Sequence, residues 1–80
     1  MANVKELTDL ISGGIKKKEE ELIKKAYEFA ERAHEGEKRM SGDPYFIHVF
    51  ETAKTLAKFG MDTETIVAGL LHDVLENTKI

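Results

Sequence analysis

Ile66-Val67-Ala68-Gly69-Leu70-Leu71-His72-Asp73-Val74-Leu75-Glu76-Asn77 is the stretch on which the fold turns. Its apolar positions, Ile66, Val67, Leu70, Leu71, Val74 and Leu75, recur in pairs four residues apart, the period of one face of a helix. A strand would alternate, and nothing here alternates. Set into this apolar helix are His72, Asp73, Glu76 and Asn77. Burying such groups without partners is unfavourable, so four polar residues on one helix end need a reason. An adjacent imidazole and carboxylate can serve one divalent cation, and an upstream histidine, His48, can complete a mixed nitrogen and oxygen site suited to manganese, iron or zinc.

Working outward, Asp62 or Thr63 is the expected cap of this helix, which should run over 63–77. Before it, Phe59-Gly60-Met61-Asp62 reads as a turn. A third helix over 44–59 carries Phe46, Ile47, Phe50, Ala53, Leu56 and Ala57, with Asp43-Pro44 as cap and first helical residue. Glu37 to Gly42 is a polar loop. A second helix over 17–35 has the stripe Leu22, Ile23, Ala26, Tyr27, Phe29, Ala30 and Ala33 and stops at Gly36. A first helix over 3–12, with Val4, Leu7, Leu10 and Ile11 inward, ends at Ser12-Gly13-Gly14. The pattern predicts an all-α fold, a small bundle of about four helices, formed as a single domain over 1–80. A short turn between the last two helices makes them roughly antiparallel neighbours. His48, early on the third, and His72, late on the fourth, then fall at the same end.

Composition narrows the classes. The 80 residues hold 12 Lys and Arg against 15 Asp and Glu, a net charge of −3 with the signs interspersed. That gives no electrostatic drive toward nucleic acid or an anionic membrane. Lys16-Lys17-Lys18 runs straight into Glu19-Glu20-Glu21 and reads as a solvated helix start. There is no cysteine, no apolar run of membrane-spanning length and no signal or transit peptide pattern at the start, so a cytoplasmic location is expected.

On the fourth helix His72 and Glu76 are i and i+4, as are Asp73 and Asn77. Two groups that can hold a cation are thus followed one turn later by two that can orient water. Any single histidine here could be a satisfied core or surface residue; the joint placement of His48, His72, Asp73 and Glu76 is harder to explain that way. His34, near the end of the second helix, fits helix capping or packing better than ligation. Lys38-Arg39-Met40-Ser41-Gly42 is a basic loop; Arg39 can stack on a base or fork onto phosphate, and Ser41 can bond phosphate oxygens. On its own such a loop is a weak signal.

Leu22 to Thr78 resembles the N-terminal hydrolase domain of the Rel/SpoT family, enzymes of the alarmone (p)ppGpp and the stringent response. Three strings carry the likeness: Ala26-Tyr27-Glu28-Phe29-Ala30 leading to Ala33-His34; Lys38-Arg39-Met40-Ser41-Gly42-Asp43-Pro44-Tyr45-Phe46-Ile47-His48; and Ile66 to Thr78. A bare His-Asp pair would point only to the broad HD phosphohydrolase superfamily. The resemblance implies the N-terminal part of an HD-domain fold and a manganese-dependent removal of pyrophosphate from the 3′ position of (p)ppGpp. It implies His48, His72 and Asp73 as metal ligands, Glu76 as the carboxylate acting on the attacking water with Asn77 beside it, Arg39 against the guanine and Ser41 as a further nucleotide contact. The expected partner is a guanine nucleotide, ppGpp or pppGpp.

Three substitutions set this chain apart from the pattern. Asn77 stands where Asp is usual, Met40 where a basic residue is usual, and Val49 where Pro is common. The family domain also extends past Ile80 to a distal Asp that completes its metal shell. A partial domain of this kind is expected to bind manganese weakly, to turn over little, and to leave apolar helix faces around Leu70, Leu71, Val74 and Leu75 open for pairing as a homodimer. The rivals are an HD phosphohydrolase acting on another nucleotide and a non-catalytic nucleotide-binding or dimerisation module.

Overall fold

The computed structural model describes residues 3–11, 14–72 and 74. The described residues are all-α, with four helices in chain order: α1 (Val4–Thr8), α2 (Lys17–Ala33), α3 (Tyr45–Lys58) and α4 (Thr63–Leu71). Among the described residues the only extended pairing is a single antiparallel bridge between Lys38 and Pro44. No described helix is long and apolar enough to cross a membrane.

α1 is shorter than the 3–12 expected. Asn3 caps it, its side chain accepting from the Lys5 amide at 2.8 Å. Beyond Thr8 the bonds tighten: the amides of Leu10 and Ile11 donate to the carbonyls three residues back, Leu7 and Thr8. That turn carries Leu10 and Ile11 off the helix and still onto the core. Leu7 is fully buried, and the Lys54 ammonium on α3 reaches Glu6 at 2.7 Å, so α1 is tied down at two points.

α2 buries Ile23, Ala26, Tyr27 and Ala30. Two residues of its expected stripe are corrected: Leu22 and Phe29 remain 47% and 44% exposed. With about 100° of rotation per residue, both fall on one flank, about a quarter turn or more from the centre of the buried face. The periodicity marks the helix; the width of the face that is covered depends on its neighbours. Gly36, at φ +84°, reverses the chain after α2.

α3 buries Phe46, Val49, Phe50, Ala53 and Ala57. Val49 takes a core place that the sequence reading gave to Ile47 and Leu56, which are half-buried. The start of α3 also differs. Pro44 occupies the cap position without a side-chain bond, and Asp43 instead accepts from the Ser41 hydroxyl at 3.2 Å. The rings of Tyr27, Phe46 and Phe50 form the aromatic centre of the core. Tyr27 stands edge-on to Phe46 at 5.1 Å and to Phe50 at 5.9 Å.

α4 begins where the sequence places it. The Asp62 carboxylate accepts from the Thr65 amide at 2.8 Å. Ile66, Leu70 and Val74 are buried, four residues apart, facing α2 and α3. A side chain on Gly69 would bring its Cβ within 2.6 Å of the Leu56 side chain, so the glycine permits close approach of α3 and α4. The pairing surface expected around Leu70, Leu71, Val74 and Leu75 is reduced accordingly. Leu70 and Val74 are covered within the chain and Leu71 is half-buried; Leu75 lies outside the described residues.

Two carboxyls are held below their usual range: Asp62 by its bonds from Thr65, and Glu6 by the hydrogen bond and charge of Lys54. A depressed carboxyl contributes stability above its unfolded pKa and loses it as pH falls through the folded one. The melting temperature is therefore expected to drop as pH falls below about 5. Asp62→Asn, which keeps a capping oxygen but cannot titrate, should make that drop shallower. An unchanged acid limb in thermal melts of this variant would remove Asp62 from the account.

Candidate metal and nucleotide site

The two histidines proposed to share an ion lie on neighbouring helices. His48 is in the first turn of α3 and half-buried, its ring edge-on to Tyr45 at 5.8 Å. Its backbone carbonyl also accepts from the Thr52 hydroxyl at 3.1 Å. His72 follows the last residue of α4 and is exposed. Its Nδ1 lies 2.7 Å from the Gly69 carbonyl oxygen. A carbonyl oxygen only accepts, so Nδ1 carries the proton and the lone pair resides on Nε2. Ligand histidines typically have this arrangement, with a backbone carbonyl fixing the ring and its tautomer. The donor chemistry of His72 therefore fits a divalent cation. Asp73, Glu76 and Asn77 lie outside the described residues. Among the described residues alone no group of three His, Cys, Asp or Glu side chains is close enough to hold a metal.

Arg39 and Ser41 sit together on a closed loop between α2 and α3. The Arg39 amide donates to the Asp43 carbonyl and the Gly42 amide to the Arg39 carbonyl, both at 2.8 Å. Gly42 takes φ +92°, which this tight return requires. The Tyr45 amide donates to the Glu37 carbonyl at 2.9 Å, joining the two ends of the loop. The polar loop expected here is thus closed by backbone bonds into a hairpin tip. A shallow groove is lined by Lys38, Arg39, Met40, Ser41 and Tyr45. Met40 is fully exposed and Asp43 faces the Ser41 hydroxyl, so the groove is cationic through Lys38 and Arg39 but carries a carboxylate at its rim.

One residue here was not singled out by reading the sequence. Tyr45 lies between the loop and His48 and touches the rings of both His48 and His34; its position three residues before His48, one helical turn away, was the available signal. Lys38, in the basic loop read from the sequence, borders the groove. His34 behaves as expected: it caps α2 and packs beside the site with 2% of its surface exposed.

All these residues fall within one region of similarity, since the model of the HD domain family matches residues 26–80. The chain belongs to the HD-domain family. Within that family the likeness to Rel/SpoT-type proteins is close. The HD domain is 55% identical over 58 residues to the guanosine-3′,5′-bis(diphosphate) 3′-pyrophosphohydrolase of Aquifex aeolicus, which covers 72% of this chain and 8% of that protein. Similarity to the GTP pyrophosphokinase of Streptomyces coelicolor is 53% identity over 57 residues, 71% of this chain and 7% of that one. The bifunctional (p)ppGpp synthase/hydrolase RelA of Mycobacterium tuberculosis is 49% identical over 57 residues, 71% and 8% of the two chains. The chain thus spans less than a tenth of the length of the curated relatives it matches. HD-family hydrolases depend on a divalent metal ion, in keeping with the oriented imidazole of His72.

Proposed function

We propose that this HD domain binds manganese and the guanine nucleotide ppGpp or pppGpp, and that its chemistry is hydrolysis of the 3′-diphosphate. The observation that carries the reading is the closed, cationic Arg39–Ser41 hairpin that leads into α3, the helix bearing His48, within a segment about half identical to proteins named as 3′-pyrophosphohydrolases. His48, His72 and Asp73 would hold the ion, with His72 ligating through Nε2. A bound divalent cation supplies Lewis acidity at the diphosphate and neutralises its charge. Arg39 lies against the guanine and Ser41 offers a hydroxyl to the nucleotide. Glu76 accepts the proton of the attacking water; the water oxygen bonds to the phosphorus attached to the 3′ oxygen, and that oxygen leaves and is protonated. Asn77, next to Glu76 in the sequence, is an amide and neither takes up nor releases a proton. Turnover is therefore expected to be low, with binding stronger than catalysis. The same reading places the domain in the cytoplasm.

Arg39→Ala tests the nucleotide half. One charge-assisted contact corresponds to roughly a tenfold loss in affinity, so calorimetric titration with ppGpp in the presence of manganese should show about that weakening. Arg39 is exposed and its backbone bonds survive the substitution, so the circular dichroism spectrum should not change. Equal affinity in the variant and the parent would sink the proposed role of the loop. Asn77→Asp tests the catalytic half: pyrophosphate release from ppGpp should rise by at least about tenfold, at the low end of what a positioned acid or base contributes.

A further inference from the structure

We propose that His34 is a positioning residue that fixes the Arg39–Ser41 hairpin against the start of α3. The inference rests on the nucleotide reading for its functional consequence, but its structural content stands apart from it. His34 ends α2 with its side chain wholly buried. Nδ1 lies 2.8 Å from a Glu37 carboxylate oxygen. The other face of the residue is used as well: its ring packs on Tyr45 with centroids 4.9 Å apart. Glu37 and Tyr45 are the two ends of the hairpin, joined by the bond from the Tyr45 amide to the Glu37 carbonyl. His34 therefore holds both roots of the loop from below, and Tyr45 leads directly to the ring of His48.

The unused nitrogen argues that this is more than packing. A carboxylate only accepts, so Nδ1 is the donor to Glu37. Nε2 is then buried and makes no hydrogen bond to any described residue. Burying a polar nitrogen in that way is unfavourable. A phenylalanine ring would fill the same space beside Tyr45 without that burden. What histidine adds is the donor at Nδ1, and what that donor holds is Glu37.

His34→Phe and His34→Asn separate the two roles. Phenylalanine keeps the ring and removes the donor; the asparagine side-chain amide places a donor near Nδ1 and removes the ring. Amide hydrogen exchange reads the hairpin directly through the Arg39 and Gly42 amides, both hydrogen-bonded within it. In His34→Phe these amides are expected to exchange roughly tenfold faster, as for loss of one anchoring bond, while core amides of α2 and α3 keep the parent's protection. His34→Asn should restore most of the hairpin protection. In parallel, ppGpp affinity should fall with the hairpin protection in His34→Phe and recover in His34→Asn, with manganese affinity unchanged in both. Unchanged hairpin exchange in His34→Phe, or an equal loss of protection across α2 and α3, would overturn the proposal. If the parent chain itself fails to bind ppGpp, the nucleotide reading falls, and the exchange result still decides whether His34 holds the hairpin.

Discussion

His72→Ala is expected to lower the affinity for manganese by at least about 100-fold. Loss of a partner that merely orients a ligand costs roughly 10- to 100-fold, and the ligand itself should count for no less. His72 suits this test because it is exposed and its Nδ1 bonds the carbonyl of Gly69 in the last turn of α4. Removing it leaves Ile66, Leu70 and Val74 in the core. The helical signal in circular dichroism should therefore persist while free manganese, followed by electron paramagnetic resonance, reappears. His48→Ala should show the same loss of metal with a larger structural cost, since His48 is half-buried beside Tyr45. Undiminished manganese binding by His72→Ala would remove this residue from the ligand set and with it the proposed chemistry.

The second large effect concerns stability. Phe50 is 3% exposed, stands edge-on to Tyr27 at 5.9 Å and packs with Phe46 at 6.4 Å. The Lys54 ammonium lies 5.2 Å from its ring centre and extends on to Glu6. Phe50→Ala removes the central ring of this cluster and leaves a cavity, at a cost of about 3–5 kcal/mol. A domain of 80 residues has about 4–12 kcal/mol of stability in total. The melting temperature should accordingly fall by about 15–30 °C, and the variant should be partly unfolded at 37 °C. Phe50→Leu, which keeps most of the volume, should cost under about 2 kcal/mol. A fall of only a few degrees for Phe50→Ala would mean that the aromatic cluster is not the centre of the core.

Much of this molecule was legible from local signals. The period of Ile66, Leu70 and Val74, the cap at Asp62 and the stop at Gly36 are properties of a few neighbouring residues, and α2, α3 and the start of α4 follow from them. The likeness of the three motif-bearing strings to the Rel/SpoT hydrolase domain is likewise a matter of residue order. Those are the parts that the sequence by itself determined. The tertiary structure decided what depends on neighbours distant along the chain. Leu22 and Phe29 share the helical period of the core but lie beyond the face that α3 and α4 cover, so they stay exposed. Leu70 and Val74 were expected to be left open and are instead enclosed by packing of α4 on α2 and α3. Asp43 reads locally as a cap, yet closure of the hairpin turns it toward Ser41. His34 reads as a helix end, and only the return of the chain through Tyr45 sets it beneath the loop. Helical periodicity is written every three or four residues; which face is buried, and which donor meets which acceptor, is settled when separated segments meet.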